Sequence, residues 1–460
     1  MTTNAYDLIV IGAGGAGSTA ATTAAANYGA RVALIERDKL GGTCLNYGCD
    51  PTKTLLHTAQ MLYQAQHAGE LGLRIPTVEF DWPAVQTHVQ QVLARIRGGS
   101  MEDGVADLKR QGVDVIWGEA QFVSAQEVSV AGQIYSAPRI IIAAGTEALI
   151  PEIEGLREAG FITNKEAVSL PHLPKRLAIV GAGPIGLEFA QLFHRFGVQV
   201  TVLQRAGLPL EREDRELAEE LCALLASEGI RIEIASEMRC GLHDNQGKRI
   251  EIQQKGGATH TLVVDEILVA LGRRVPTEAL QLPSAGVQVS EGRIATDTTL
   301  RTSVPHIWAA GDVTSIYQFT HVASEQGKLA AHNAFSNHPQ PFDERVIPWV
   351  TFTDPEFARV GKTEDQLKAE GVAYRVGRVR FDKMDRALAT NQTAGLVKML
   401  ADAEGQILGA HILGANAGEL IAPAVLAMRT HQTVSALAET MLPYPTMAEA
   451  VRWAADALNR

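Results

Sequence analysis

Two stretches of the chain share one order of apolar and glycine-rich positions. Asp7 to Ile11 is a short, mostly apolar run, followed by Gly12-Ala13-Gly14-Gly15-Ala16-Gly17 and then an alanine-rich segment to about Tyr28. A short apolar run bounded by glycine reads as a buried strand, and the alanine-rich segment, stopped at Gly29, reads as a helix. A second strand is predicted from Arg31 to Ile35, ending at Glu36. The same order returns in mid-chain. Leu177 to Val180 is the strand and Gly181-Ala182-Gly183-Pro184-Ile185-Gly186 the loop; a helix runs to about Phe196, Gly197 stops it, and Val198 to Leu203 is the next strand. The repeated strand–glycine loop–helix unit predicts an α/β protein.

The glycine spacing carries chemistry. The first glycine makes a tight turn, the second lets the backbone approach a pyrophosphate, and the third lets helix pack on strand, with the helix N-terminus facing the phosphates. One such loop is a weak signal; two copies, each set between strand and helix, are a strong one. Gly12, Gly14 and Gly17, and again Gly181, Gly183 and Gly186, are therefore candidate dinucleotide-binding residues. The residue closing the second strand selects the nucleotide. Glu36 accepts hydrogen bonds from ribose hydroxyls and repels a 2′-phosphate, so the first site is read as FAD. Its counterpart is Gln204, followed by Arg205 with Arg212 nearby; a neutral residue with arginines suits a 2′-phosphate, so the second site is read as NADPH in preference to NADH.

Composition narrows the classes. At 460 residues the chain has room for about three domains. With 46% hydrophobic and 20% charged residues it is too apolar to be disordered. Asp and Glu total 52 against 41 Lys and Arg, a net charge of −11 that repels phosphate backbones, so no nucleic-acid partner is expected. No apolar run approaches the roughly 18 residues of a membrane span, and the stretch from Met1 to Asp7 lacks a basic leader region, so neither membrane nor signal peptide is expected. Four cysteines are too few for a disulfide scaffold, and the expected compartment is a reducing cytoplasm.

The segment Gly41-Gly42-Thr43-Cys44-Leu45-Asn46-Tyr47-Gly48-Cys49-Asp50-Pro51-Thr52-Lys53 sets two cysteines within reach of each other across what reads as a short distorted turn. A structural bridge would close a very small loop and stabilise little. A zinc site would want two further ligands at matching spacing, which Cys222 and Cys240 do not offer; those two read as packing or incidental. A redox role for Cys44 and Cys49 is the reading that the two nucleotide loops favour.

On these marks the chain resembles the class I pyridine nucleotide–disulfide oxidoreductases, a family that includes dihydrolipoamide dehydrogenase, glutathione reductase and mercuric reductase. The likeness runs from about Tyr6 to Ala455, and the Gly41–Lys53 segment is its most specific mark. Ile140 to Gly145 with Thr146 resembles the strand and turn closing the first FAD segment. Leu271-Gly272-Arg273-Arg274 resembles the return from the nicotinamide domain, and Ala309-Ala310-Gly311-Asp312 the motif whose aspartate binds the flavin's ribityl chain. Thr353-Asp354-Pro355-Glu356 opens what resembles the dimerisation domain. The resemblance implies Cys44 as interchange thiol and Cys49 as the thiol against the flavin, with Gly42, Thr43, Gly145, Gly272 and Asp312 beside the cofactor. Lys53 and Glu188 become an ion pair near the flavin's reactive edge. His321 resembles the disulfide-reductase pattern and would lie near the flavin's pyrimidine end. The implied order is NADPH to FAD, one per chain, to the thiol pair, to a small acceptor.

One departure stands near the C-terminus. Where most of the family has a histidine before Pro-Thr and an orienting glutamate, this chain reads Pro443-Tyr444-Pro445-Thr446-Met447-Ala448-Glu449. A phenol with a pKa of about 10 is a poor proton shuttle at neutral pH, whereas an imidazole near 6.5 titrates there. Tyr444 remains a donor able to steady a thiolate or a soft metal. With Gln204-Arg205, this resembles the mercuric reductase branch, although Asp456-Ala457-Leu458-Asn459-Arg460 carries no vicinal cysteine pair of the kind that branch uses, and no N-terminal metal-trafficking domain is seen. The expected acceptor is a soft metal ion, held by Cys44 and Cys49 as substrate, or another electrophile. The alternatives are a dihydrolipoamide dehydrogenase or related disulfide reductase, and a flavin-binding protein with an idle redox loop. The expected architecture is two Rossmann-like domains and a C-terminal α+β dimerisation domain. Residues 1–150 and 273–343 form the FAD domain, 151–272 the NAD(P)H domain and 344–460 the dimerisation domain, and Tyr444 of one chain serves the thiols of the other in a homodimer.

Overall fold

The structure is a computed structural model that describes residues 4–244, 247–314 and 317–459. The chain divides into two compact bodies. The first gathers the residues up to Thr54 with Pro83–Leu149 and Gly272–Asp343; the second gathers Leu55–Trp82, Ile150–Leu271 and the residues from Glu344 onward.

The first body is built on a five-stranded sheet in the order Ile307–Ala309, Ile140–Ile142, Leu8–Ile11, Val32–Glu36, Val113–Trp117, every neighbouring pair parallel. A parallel sheet covered on both faces needs apolar residues at every position, which is why Leu8–Ile11 shows no alternation. Leu8 and Val10 pack with Ala16, Ala20 and Ala24; Ile9 and Ile11 pack with Ile140, Ile142, Phe122 and Val128. The helix Gly15–Tyr28 is alanine-rich because it packs closely on both the sheet and a second helix. The helix Thr320–Phe335 packs against it, approaching so closely that a Cβ on Gly327 would stand 2.2 Å from the Ala16 carbonyl oxygen. Gly29 closes the first helix with φ +62°.

The second body repeats the plan. Its parallel sheet runs Arg231–Glu233, Gln199–Leu203, Arg176–Val180, Glu266–Val269. The antiparallel strands Ser236–Asp244, Gly247–Gln254 and Thr259–Val264 follow in sequence, with Met238, Ile250 and Ile252 packing on Ala178, Val180, Ile267 and Val269. A separate five-stranded antiparallel sheet, Pro348–Thr351, Glu356–Gly361, Ile407–Gly414, Leu396–Ala401, Arg375–Arg380, carries the C-terminal helix Glu449–Asn459 against it. Lys398 sits wholly buried in the middle of that sheet, ion-paired to Asp214 and Glu216 at 2.9 Å each and to Glu364. No helix among the described residues is long and apolar enough to cross a membrane.

Candidate active site

The first glycine loop has the geometry its sequence demands. Gly12 holds φ +100°, and a Cβ there would stand 2.4 Å from the Ala143 carbonyl oxygen; a Cβ on Gly17 would stand 1.7 Å from the Gly12 carbonyl oxygen. Gly14 caps the helix with no side-chain hydrogen bond, so the first-turn amides stay available to an anion. Glu36, buried at the strand end, accepts from Ala13 N at 2.8 Å through Oε2 and from Asp38 N at 2.7 Å through Oε1. A cavity of about 70 Å³ opens between Gly12, Glu36, Gly118 and Leu280. Gly42 meets Gly14 backbone to backbone, a Cβ on Gly42 falling 2.7 Å from the Gly14 Cα.

The cysteine segment corrects the expected turn. It is two helices, Gly42–Tyr47 and Cys49–Gln66, broken at Gly48, where a Cβ would press the Thr43 carbonyl oxygen at 3.0 Å. Asn46, buried, ties the short helix down through Nδ2 to the carbonyls of Leu40 and Gly42, each at 2.9 Å. Cys44 and Cys49 are both half-buried free thiols, and they hydrogen-bond each other. They differ in surroundings. Cys49 opens the longer helix, where the backbone amides favour an anion. The Cys44 thiol, the Thr320 hydroxyl and the Lys53 ammonium all favour its thiolate, against burial and Asp50, and bring its pKa down to about 6. Thr320 Oγ1 is 3.6 Å from the sulfur. Cys44 is pushed up, first by its hydrogen bond to Cys49 and then by burial. The pair is polarised: a thiolate at Cys49, a thiol at Cys44.

Around it stand residues that the sequence reading named only in passing. Arg273 donates through Nε to Thr146 Oγ1 at 2.7 Å, and through Nη2 to the Thr146 carbonyl at 2.6 Å and Thr43 Oγ1 at 3.4 Å. The Thr146 hydroxyl donates in turn to Asp312 Oδ2 at 3.0 Å. Burial raises the Asp312 carboxyl while Arg273 opposes that rise. Gly145 holds φ +63° at this corner, and the Gly272 carbonyl accepts from Leu149 N at 2.9 Å. His321 lies exposed in the first turn of its helix, its ring stacked on Phe319. Thr320 is given no role by the sequence, and Arg273 is named only within its motif; they stand 271 and 230 residues from the partners they touch, so no local spacing announces those contacts.

In the second body the glycine loop is the same device. A Cβ on Gly186 would stand 2.0 Å from the Gly181 carbonyl oxygen, and Gly183 caps the helix Pro184–Arg195 without a side-chain bond. Gln204 Oε1 accepts from Ala182 N at 3.1 Å, the place Glu36 fills in the first unit; its Nε2 donates to Glu211 Oε1 at 2.7 Å. Arg205 is exposed. Glu188 is 4% exposed and accepts from Phe352 N at 2.9 Å, so it is no surface charge. Tyr444 is 69% exposed and donates its hydroxyl to Asp385 Oδ2, which also raises its pKa. Glu449 is buried and accepts from Thr446 N at 3.3 Å. Lys53 belongs to the first body, and Glu188, Tyr444 and Glu449 to the second.

Two dinucleotide-type loops, a polarised thiol pair and an antiparallel C-terminal domain define an oxidoreductase of the dithiol class. A family model described as pyridine nucleotide-disulphide oxidoreductase matches residues 6–327, and the dimerisation domain of the same family matches residues 347–455. The chain is 36% identical over 452 residues to a mercuric reductase of Lysinibacillus sphaericus, covering 98% of this chain and 82% of that one. It is 37% identical over 459 residues to a dihydrolipoyl dehydrogenase of Thermus scotoductus, covering 99% and 98%. A solved structure, the Cu(II) complex of the HOCl-induced flavoprotein disulfide reductase RclA from Escherichia coli, superposes with a TM-score of 0.87 at 30% identity over 99% of both chains. The chain belongs to the pyridine nucleotide-disulphide oxidoreductase family, in its class I branch. Proteins of this family bind FAD, and the dimerisation domain is the mark of its homodimers. The bare-backbone contact of Gly14 with Gly42, the amides at Gly14–Gly15, the Glu36 carboxylate and the buried side of Asp312 fit such a group.

Proposed function

We propose that this chain is an NADPH-dependent FAD enzyme whose Cys44–Cys49 pair delivers electrons to a soft metal ion or a similarly thiophilic electrophile. With Hg(II) as acceptor, NADPH and Hg(II) become NADP+, a proton and Hg(0). FAD, when bound, supplies the carrier that takes a hydride from a nicotinamide and returns electrons to sulfur. Gly12, Gly14, Gly17, Glu36, Gly42, Thr43, Gly145, Gly272, Asp312 and His321 hold it; Gly181, Gly183, Gly186, Gln204 and Arg205 hold NADPH. Cys49 stays ionised, Lys53 lends it a positive field, and Cys44 gives up its proton as it takes the acceptor. Glu188 forms an ion pair with Lys53. The boundaries 1–150, 151–272, 273–343 and 344–460 are proposed as the working domains of a homodimer in which Tyr444 of the partner subunit completes the site.

One observation carries the choice of acceptor: the Tyr444 hydroxyl hydrogen is committed to Asp385, and Asp385 raises its pKa. A general acid and base for a leaving thiol is absent from this position, whereas a metal ion needs none. Steady-state assays with NADPH and Hg(II), lipoamide or glutathione disulfide test it. The reading expects metal turnover that C44S abolishes, with slow disulfide turnover at neutral pH; fast lipoamide turnover overturns it. The second reading, a dihydrolipoamide dehydrogenase-type disulfide reductase, is favoured by the near-equal identity to the Thermus scotoductus protein and its full-length match.

A further inference from the structure

The two glycine-loop units end their second strand in the same way, with a side-chain oxygen turned back onto the loop. In the first unit that oxygen belongs to a carboxylate, Glu36, 2.8 Å from Ala13 N. In the second it belongs to the amide of Gln204, 3.1 Å from Ala182 N. The carboxylate has not vanished from the second unit. Glu211, seven residues on, places Oε1 2.7 Å from Gln204 Nε2, which also reaches the Leu208 carbonyl at 3.3 Å.

The segment that carries Glu211 is held on both sides. Leu210, at φ +51°, donates its N–H to the Ala182 carbonyl at 3.1 Å, and Glu213 N donates to the Leu210 carbonyl at 2.8 Å. Arg359, buried, donates to the Arg212 carbonyl and pairs with Glu213 at 3.6 Å, while Trp349 Nε1 donates to Glu213 Oε1 at 2.7 Å. Glu211 is exposed, yet its backbone sits on the glycine loop at one end and on a buried ion pair at the other. The same short stretch presents Arg205 and Arg212, both exposed. The segment that follows this strand thus carries two exposed cations and one exposed anion.

We infer that Glu211 is a coenzyme-selectivity residue that admits NADH alongside NADPH. This rests on the reading of the Gly181–Gly186 loop as the nicotinamide dinucleotide site. The Glu211 carboxylate accepts a hydrogen bond from the 2′-hydroxyl of NADH, doing for the second site what Glu36 does for the first. Against NADPH it sets a negative charge beside the 2′-phosphate and offsets part of what Arg205 and Arg212 supply.

The test is the coenzyme selectivity of the FAD-loaded dimer with one fixed acceptor, compared among wild type, E211Q and R205A. Glutamine keeps the shape and the bond to Gln204 and removes the charge. E211Q is expected to raise kcat/KM for NADPH roughly fivefold, as one nearby like charge at an exposed site does, and to lower it for NADH by a similar factor. Both effects appear in KM with kcat unchanged, and the NADPH gain shrinks as ionic strength rises. R205A is expected to weaken NADPH far more than NADH. An NADPH to NADH ratio in E211Q equal to that of wild type, with R205A behaving as stated, overturns the inference and leaves the coenzyme site standing. A ratio that neither variant moves overturns the coenzyme-site reading and the inference together.

Discussion

The polarisation of the thiol pair is a quantity that can be taken apart. An ordinary thiol ionises near 8.5 and is about 3% thiolate at pH 7. Cys49, brought down to about 6 by Cys44, Thr320 and Lys53, is about nine-tenths thiolate there. Its thiolate is present above that pH and lost as pH falls through it, while Cys44, raised, stays protonated across the same range. Because the two groups share a proton, the low value belongs to the pair. Its assignment to Cys49 follows from the helix start and the lysine one turn on, which favour Cys49 alone; the Thr320 hydroxyl, 3.6 Å from the Cys49 sulfur, lowers both thiols. A hydrogen bond to a charged acceptor is worth about 1.5–3 kcal/mol, or roughly one to two pH units of titration. C44A removes one such donor and is expected to move the Cys49 transition upward by that amount; C44S, which keeps a donor, moves it less. T320V removes the other donor at nearly constant volume and is expected to raise the transition by about one pH unit. The assay is the pH dependence of iodoacetamide alkylation of the reduced protein, read cysteine by cysteine from peptide masses. The reasoning fails if C44A and T320V titrate like wild type, or if the low transition survives in C49S.

Other outcomes follow from the same geometry. Y444H places an imidazole where the phenol stands and is expected to raise lipoamide or glutathione disulfide turnover at least tenfold near pH 7, read by steady-state kinetics; no rise would remove Tyr444 from the choice of acceptor. K398M leaves Asp214 buried without its cation and is expected to cost about 3–5 kcal/mol in urea unfolding, with D214N in the same chain recovering part; a loss under about 1 kcal/mol refutes it. Lys398 also depresses Glu364, so that pair stabilises the fold at neutral pH and its contribution fades as pH falls below the ordinary carboxylate range. His411, buried with Nε2 donating to the Lys362 carbonyl at 3.0 Å, is pushed down to about 4 by burial. The unfolded chain takes a proton near 6.5 that the folded chain refuses, so stability falls as pH drops below that value, and H411L is expected to flatten that slope in unfolding measured against pH.

Sequence alone located both glycine loops because the backbone there leaves no other residue possible. A Cβ on Gly12, Gly17, Gly181 or Gly186 would fall within 2.4 Å of a carbonyl oxygen. Strand ends were legible to about one residue for a related reason: an unbroken apolar run has a sharp edge where burial on both faces stops. The cysteine segment was harder. Gly, Thr, Asn and Cys are weak helix formers, and Pro51 reads as a breaker until it is seen in the first turn of its helix, where no hydrogen bond is lost. The helical state of Gly42–Tyr47 is held by Asn46 reaching back to Leu40 and Gly42, a side-chain contribution that composition does not display.

Glu188 shows why the remaining gap is physical. A glutamate between leucine and phenylalanine in Pro184–Arg195 reads as the polar face of a surface helix, and amphipathic periodicity supports that only if the helix has an exposed face. This one has almost none: Gly186 through Phe193 are all buried, Gln191 among them, with its Oε1 accepting from Asp354 N and its Nε2 donating to the Asp354 carbonyl at 2.7 Å each. On a helix buried all round, the 3.6-residue period has nothing to register, and a polar residue can persist only where a partner across the fold satisfies it. Glu188 meets Phe352 N, Gln204 meets Ala182 N and Glu211, and Cys49 meets Thr320. Each of these pairings fixes charge or proton position at a candidate binding or redox group. The pairings of Glu188 and Cys49 do not follow from spacing along the chain, because the partner is supplied by whichever element the core packs against it.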